Sequence, residues 1–189
     1  MAPKPEPQQL TVKNRAAWRH WLDTHEYHSD GVRLVLAKKG VIDPISLSYA
    51  EALEEALCSG WIDGRRNSLD EHTFLQHFLP RRRGSNWSQR NVSIVAELTA
   101  QGRMRNRGIE EVEAAQADGR WERAYPGVAT AVAPDDLLSA LDASQLDARM
   151  KFDALSKGER YPLILDVLTA LPSTRDSRIA RIVDRLEAH

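Results

Sequence analysis

The sequence predicts an α+β protein, in which a small antiparallel sheet covered by helices is followed by a C-terminal helical bundle. Three short runs have the composition of strands, at residues 31–38, 61–66 and 73–79. Segments with apolar residues three and four apart, which is the helical period, flank these runs. From about residue 134 onward the pattern is helical throughout.

Composition excludes several classes of protein. The chain has 189 residues and a net charge of -1, so it is long enough for one sizeable domain and is not basic as a whole. Cys58 is the single cysteine, which excludes an intramolecular disulfide and a thiolate zinc cage. Residues 1–9 lack the apolar core of a signal peptide, and no run of about 18 apolar residues occurs. We therefore expect a cytoplasmic protein with no cofactor, no metal and no membrane span.

The first helix is expected to follow Asn14, a good N-cap residue. Its apolar face consists of Ala17, Trp18, Trp21 and Leu22. Residues 31–38 are rich in valine and leucine and too short for a helix, so they predict a strand. Asp43 and Pro44 then predict a turn.

Ser48 and Glu51 form a capping-box pattern that opens a second helix, and Gly60 is placed to end it in the left-handed conformation. The buried stripe of this helix consists of Ala52, Leu53, Ala56 and Leu57. Residues 61–66 and 73–79 predict two strands, joined as a hairpin by the polar residues between them.

Two further helices are predicted at about residues 87–100 and 106–118, the second with Ile109, Val112 and Ala115 facing inward. The predicted organisation is a flexible tail (1–11), an α+β domain (12–125), a linker of small residues (126–133) and a helical C-terminal region (134–189).

The helical region contains several start signals. Pro134 opens one helix, residues 145–155 form a second, and Ser156 with Glu159 caps a third. Pro172 breaks the chain before a last helix that Ser173 and Asp176 are expected to cap. The core face of that helix consists of Ile179, Ile182, Val183 and Leu186.

A basic segment marks the candidate site. Residues 81–107 carry seven arginines and one acidic residue, Glu97, which is either a solvated charged face or the footprint of an anionic partner. Arginine forks and hydroxyls beside the start of a helix suit an anion, because the first backbone N–H groups of a helix are unpaired. The predicted ligand-binding residues are Arg81, Arg82, Ser85, Trp87, Ser88 and Asn91.

Each part of this site has an alternative interpretation. Ser85 and Ser88 are interpreted as N-caps of the helix or as hydroxyls of an anion cradle, and the two roles are compatible. Trp87 either anchors the helix in the core or exposes a face for stacking. If the preceding strand continues, Arg81 and Arg83 share one face.

Asp63 lies on a predicted strand, where it either forms an ion pair with Arg81 or Arg82 or acts as the acid/base of an enzyme. Without a nearby histidine in the sequence, Cys58 is expected to be a buried structural thiol rather than a nucleophile. No catalytic residue is therefore assigned beyond Asp63 in the enzyme alternative, and the sequence favours a protein that is not an enzyme.

Two further patterns have plain interpretations. His25 and His28 lack a third ligand at diagnostic spacing, which favours an exposed loop over a metal site. The last helix carries a basic stripe, interpreted as a solvated face or a partner-binding surface: Arg175, Arg178, Arg181 and Arg185.

Several strings together carry a family resemblance. They are Ala-Leu-Cys-Ser-Gly-Trp-Ile-Asp-Gly (56–64), Pro-Arg-Arg-x-x-Ser-x-Trp-Ser-x-x-Asn (80–91), Gly-x-Met-x-x-x-Gly (102–108), Gly-x-Trp (119–121) and Thr-Arg-x-x-Arg-Ile (174–179). From about residue 18 to 186 the chain resembles the YdeI/OmpD-associated (bacteriocin-protection, OmdA) family, and its N-terminal part is similar to YjbR/CyaY-like folds. The chain departs from the family pattern at two positions. The family usually has an aromatic residue where this chain has Ser59, and it often has a proline near the position of Asn106.

The resemblance implies a bacterial protein of envelope stress or antimicrobial tolerance, and it implies no established reaction. The leading hypothesis is a protein that binds a phosphate-bearing metabolite or a nucleic acid at the basic loop. The alternatives are an enzyme acting on a phosphorylated or carboxylated substrate through Asp63, and an adaptor that docks a protein partner on residues 134–189.

Overall fold

A computed structural model describes residues 7–41, 47–144 and 147–188. The chain divides into two compact units. The first unit comprises Met1–Ser85 and Ser93–Asp118, and the second comprises Asn86–Val92 and Gly119–His189. The predicted turn at Asp43 and Pro44 lies outside the described residues.

The elements, in chain order, are β1 (Gln9–Thr11), α1 (Arg15–His25), β2 (Val32–Ala37), α2 (Tyr49–Cys58), β3 (Trp61–Ser68), β4 (Thr73–Pro80), α3 (Gln89–Ala100), α4 (Asn106–Ala117), α5 (Asp135–Asp142), α6 (Ala148–Ala154), α7 (Lys157–Leu168) and α8 (Pro172–Glu187). A sheet with helices in the first part of the chain, followed by several C-terminal helices, confirms the predicted α+β class. Among the described residues, no helix combines the length and the apolar character needed to cross a membrane.

The sheet has four strands in the order β1-β2-β4-β3. β2, β4 and β3 pair antiparallel as predicted, and β3 and β4 form the expected hairpin. β1 adds in parallel to the edge of β2, with Leu10 opposite Leu34, so the sheet is mixed. We expected these residues to be part of a flexible tail. Three residues are too few to show the alternation that identifies a strand in a sequence.

Two buried tryptophans join α1 to the sheet and to α2. Trp18 of α1 is fully buried, and its ring centroid lies 5.7 Å from that of Phe78 on β4. The Nε1–H group of Trp18 donates to the carbonyl of Ala52 in α2 at 3.1 Å. Trp61 of β3 is likewise buried and donates to the carbonyl of Glu26 at 3.2 Å. Each ring therefore buries its apolar body while its polar N–H group remains hydrogen-bonded.

The helix ends of the first unit follow their capping signals. Asn14 accepts a hydrogen bond from the backbone N–H of Ala17 at 3.1 Å, as predicted. Ser48 and Glu51 form the predicted capping box of α2. Gly60 follows the end of α2 with a φ of 68°, in the region that favours glycine. In α4, Ala115 is buried as expected, whereas Ile109 is 40% exposed, so its predicted inward orientation is wrong.

The described part of the second unit contains the helices α5 to α8. Its buried core consists of Leu137, Leu141, Ala148, Phe152, Leu163, Ile164, Val167, Ile179, Ile182 and Leu186. The predicted capping box of Ser156 and Glu159 opens α7. The predicted cap at Ser173 is wrong, because α8 begins with Pro172 and Leu171 is its N-cap. Proline suits the first helical position, where no N–H donor is needed.

Candidate functional site

The predicted basic loop is a turn directly after β4, and we call residues 81–85 the arginine turn. Arg81 is 5% exposed, and its backbone N–H donates to the carbonyl of Gly60 at 3.1 Å. Arg82 and Arg83 are exposed. β4 ends at Pro80, so the strand does not continue, and the condition under which Arg81 and Arg83 would share one face is not met. Two of the three consecutive arginines therefore present their guanidinium groups to solvent.

Ser85 closes the arginine turn. Its hydroxyl oxygen accepts a hydrogen bond from the backbone N–H of Arg82 at 3.1 Å. The backbone N–H of Ser85 in turn donates to the carbonyl of Arg82 at 2.9 Å. A serine hydroxyl that bonds nearby backbone in this way fixes a turn rather than a helix end. The interpretation of Ser85 as an N-cap is therefore wrong.

The start of α3 carries the other predicted residues. Ser88 accepts a hydrogen bond from the backbone N–H of Asn91 at 3.2 Å, and the N–H of Val92 donates to its carbonyl at 3.0 Å. This confirms Ser88 as the N-cap. Asn91 is 7% exposed and Trp87 1%, and the Trp87 ring meets that of Trp121 edge-on with centroids 4.8 Å apart. Trp87 therefore anchors the core, and its ring is not open for stacking.

The predicted ligand-binding residues fall into both units. Arg81, Arg82 and Ser85 belong to the first unit. Trp87, Ser88 and Asn91 belong to the second unit. Within each unit the three residues are close neighbours along the chain, and local backbone hydrogen bonds hold them.

Asp63 has a partner that the sequence did not indicate. Its Oδ2 atom accepts a hydrogen bond from the Tyr49 hydroxyl at 2.7 Å. Tyr49 is the first residue of α2, so this bond ties the helix start to β3. The carboxylate that we expected to pair with Arg81 or Arg82 is thus held by a tyrosine in the described structure.

A cluster of arginines and glutamates, absent from the sequence predictions, lies between α1, α2 and the segment before α4. Glu55 is 7% exposed. Its Oε1 atom is 2.7 Å from Nε of Arg15 and 2.8 Å from Nη2 of Arg103. Nη1 of Arg19 lies 3.4 Å from the Oε2 atom of Glu55. We call Arg15, Arg19, Arg103, Glu54 and Glu55 the arginine–glutamate cluster.

This cluster accounts for part of the predicted basic segment. Arg103 also contacts Glu54 at 3.0 Å, and Arg105 lies 2.9 Å from Asp23. Two of the seven arginines in residues 81–107 are therefore neutralised by carboxylates inside the first unit. The sequence contains no clear signal for this cluster, since Glu55 lies beside the apolar stripe of α2 and its burial follows from the fold.

Cys58 is buried, with 1% of its surface exposed. Burial and then the negative charge of Glu55 raise the pKa of its thiol to about 12. A protonated, inaccessible thiol is a poor nucleophile, so the structure favours the structural interpretation of this residue. His25 stacks on Trp21, with ring centroids 4.3 Å apart. The described residues contain no group of three histidine, cysteine or acidic side chains arranged to hold a metal.

The basic stripe of the last helix forms ion pairs inside the second unit. Arg175 of α8 donates to Asp136 of α5 through two nitrogens, one at 3.0 Å. This pairing lowers the pKa of the Asp136 carboxyl. Arg178 and Arg181 both contact Asp166 of α7, at 2.7 and 3.1 Å. Three of the four arginines therefore link helices of the bundle.

Comparison with known families gives two matches. Residues 10–111 match the model of a family described as Domain of unknown function (DUF8412). Residues 130–189 match the model of a family described as Bacteriocin-protection, YdeI or OmpD-Associated. No curated protein and no solved structure gives a match. The predicted YdeI/OmpD-associated resemblance is thus supported over residues 130–189, whereas the YjbR/CyaY-like similarity of the N-terminal part gains no support.

Proposed function

This chain belongs to the family described as Domain of unknown function (DUF8412), and we propose that it is a non-catalytic protein that binds nucleic acid through the arginine turn. The match of residues 130–189 to a family described by bacteriocin protection supports a role in stress or antimicrobial tolerance. A nucleic acid is preferred over a small phosphate-bearing metabolite for the reasons that follow.

The observation that carries the proposal is the exposure of two adjacent arginines on a fixed turn. The side chains of Arg82 and Arg83 face solvent, while the hydroxyl of Ser85 accepts from the backbone N–H of Arg82 and closes the turn that carries them. An exposed cation contributes little to the binding of a single phosphate, because water and salt screen the attraction. Along a polyphosphate the contacts add, and each releases a counterion. Exposed arginines therefore favour a polyanion.

The remaining predicted residues support the contact indirectly. Burial of Arg81 anchors the turn to the end of the sheet, next to Gly60. Trp87, Ser88 and Asn91 fix the start of α3 in the second unit. In this proposal Arg82 and Arg83 contact phosphates, and the other residues hold their own segments in place.

Fluorescence anisotropy with labelled single-stranded and duplex oligonucleotides, measured across a salt series, tests the proposal. We expect the double variant Arg82→Glu/Arg83→Glu to weaken binding at least about tenfold at low salt and to reduce the salt slope by about 2, one per lost phosphate contact. The matched control is Lys157→Glu/Arg185→Glu, which makes the same charge change at exposed residues of the second unit.

Two results would contradict the proposal. One is the absence of binding by the wild type at low salt. The other is an equal loss of affinity in the control, because that would mean that total charge, and not the arginine turn, governs binding.

A second candidate is an enzyme acting on a phosphorylated or carboxylated substrate, with Asp63 as the acid/base. The observation that favours it is the 2.7 Å hydrogen bond that the Tyr49 hydroxyl donates to Asp63, since a tyrosine and a carboxylate in such contact can exchange a proton. Asp63→Asn should then abolish turnover and preserve binding. In the nucleic-acid proposal the same variant leaves binding unchanged. The adaptor hypothesis for residues 134–189 stays a prediction.

A further inference from the structure

A cavity of about 620 Å³ lies in the first unit, apart from the arginine turn. The turn after β2, the start of α2 and one face of the β3–β4 hairpin line it. Its volume falls within the roughly 300–1,000 Å³ typical of pockets that bury a small molecule.

Three cations line this cavity, and we call it the lysine pocket: Lys38, Lys39 and Arg66. Among the described residues that line it, none carries a carboxylate. Three acidic side chains accept hydrogen bonds from hydroxyl groups of lining residues or their chain neighbours. Asp63 accepts from Tyr49, Glu51 from Ser48, and Asp70 from Thr73. The described lining of the pocket therefore carries three cationic side chains and no carboxylate, in a chain whose net charge is -1.

Two of the cations are held in place before any ligand binds. The Nζ atom of Lys38 donates to the backbone carbonyl of Asp70 at 2.7 Å. The guanidinium of Arg66 stacks on the ring of Phe74, with its carbon 3.7 Å from the ring centroid. Each group keeps further N–H donors beyond these contacts. Cations that are already positioned lose less conformational entropy on binding an anion.

The pocket also offers apolar surface beside the cations. Val41 and Tyr49 contribute to its lining, and so does Phe74, whose ring lies beneath the guanidinium of Arg66. A mixture of cationic donors and aromatic surface suits a ligand that combines an oxyanion with a flat apolar group. We propose that the lysine pocket binds a small organic oxyanion, in which a phosphate or a carboxylate is attached to an aromatic ring. This site goes beyond the proposed function, because it shares no residue with the arginine turn.

The test is a titration of the ¹⁵N-labelled full chain, followed by two-dimensional amide NMR spectra. The probes are phenyl phosphate, benzoate, inorganic phosphate and the neutral analogue phenol. We expect phenyl phosphate or benzoate, or both, to shift the amides of residues 38–41 and Tyr49 saturably, and the stronger of the two identifies the oxyanion. Inorganic phosphate should bind at least about tenfold more weakly, because it lacks the apolar group.

Two variants and a neighbouring control locate the site. Lys39→Glu alters an exposed side chain and should weaken binding of the aromatic anion about tenfold or more, because a charge-assisted hydrogen bond is lost. Arg66→Glu should weaken binding of the same anion to a similar extent for the same reason. Arg65→Glu makes the same charge change one residue away, at the register irregularity of β3 and outside the pocket lining, and should change affinity less than about twofold.

The proposal is overturned if neither phenyl phosphate nor benzoate produces saturable shifts of the amides of residues 38–41 and Tyr49 at concentrations up to about 10 mM. Specific binding would saturate below this concentration. It is equally overturned if Arg65→Glu weakens binding as much as Lys39→Glu. The double variant Arg82→Glu/Arg83→Glu should leave the titration unchanged, so the lysine pocket and the nucleic-acid proposal can fail independently.

Discussion

Burial determines the chemistry of the single cysteine. Cys58 ends α2 beside Glu55, and both residues are buried. Removing a thiolate from water and placing it near a carboxylate disfavours ionisation, which raises the pKa of the thiol to about 12. The sequence favoured a structural thiol over a nucleophile because no histidine lies nearby in the sequence, and the burial of Cys58 supports that interpretation.

We therefore predict that Cys58 of the native protein resists alkylation. At pH 8, a thiol of pKa about 12 is thiolate to roughly 1 part in 10,000, against about a quarter for a free thiol of pKa about 8.5. The iodoacetamide rate should be at least about 1,000-fold lower in native protein than in urea-unfolded protein. A native rate that levels off below pH 9 would contradict this prediction, because the plateau marks the thiol pKa.

At the scale of secondary structure elements, local signals were informative wherever the partner groups lie close in sequence. The capping boxes at Ser48 and Ser156 and the N-cap at Asn14 formed as predicted, because donor and acceptor are only three residues apart. The failures have local causes too. β1 is three residues long, and Pro172 could either break a helix or begin one.

Contacts between elements were not predictable from such signals, and Gly108 is an example. A Cβ atom at this position of α4 would lie 2.3 Å from the carbonyl oxygen of Cys58, far inside van der Waals contact. Glycine is thus required by the close approach of α4 to the end of α2. Its place in a helix otherwise has a cost of about 1 kcal/mol relative to alanine.

We predict that Gly108→Ala lowers the free energy of unfolding by about 2–3 kcal/mol, because α4 must move away from α2. The matched control is Gly158→Ala in α7, where the nearest contact of a new Cβ atom is 3.9 Å away. That variant should be neutral or gain up to about 1 kcal/mol from helix propensity. Urea unfolding curves of both variants measure the difference, and a loss of the same size in each would show that the close approach does not matter.

At the scale of the whole molecule, the sequence shows where charged residues are concentrated along the chain, but it does not show which of them form ion pairs in the fold. The chain carries 26 lysines and arginines and 27 acidic residues. The arginine run at 81–83 was recognisable, and two of its members are exposed as a binding segment requires. Arg103 was counted in the same basic segment, although its partner Glu55 lies 48 residues away in sequence. Pairing over such distances follows from the fold and leaves no pattern in the sequence.

We therefore expect the arginine–glutamate cluster to stabilise the first unit rather than to bind a ligand. The variant Glu55→Gln tests this. The substitution keeps the shape of the side chain but removes the charge that Arg15 and Arg103 share. Breaking a buried ion pair typically costs about 3–5 kcal/mol. The arginine side chains remain 35% and 28% exposed, so we expect a smaller loss of about 2–3 kcal/mol in the free energy of unfolding.

The control is Glu54→Gln, at a neighbouring carboxylate whose side chain is 32% exposed and which contacts the same two arginines. Solvent screens the contacts of Glu54, so Glu54→Gln should lower the free energy of unfolding by less than about 1 kcal/mol. This loss should shrink further in 1 M salt, where the screening length is about 3 Å. The loss for Glu55→Gln should persist at high salt, since salt screens a buried carboxylate much less. Equal losses in the two variants, or loss of both effects in salt, would mean that the cluster is a surface network without a structural role.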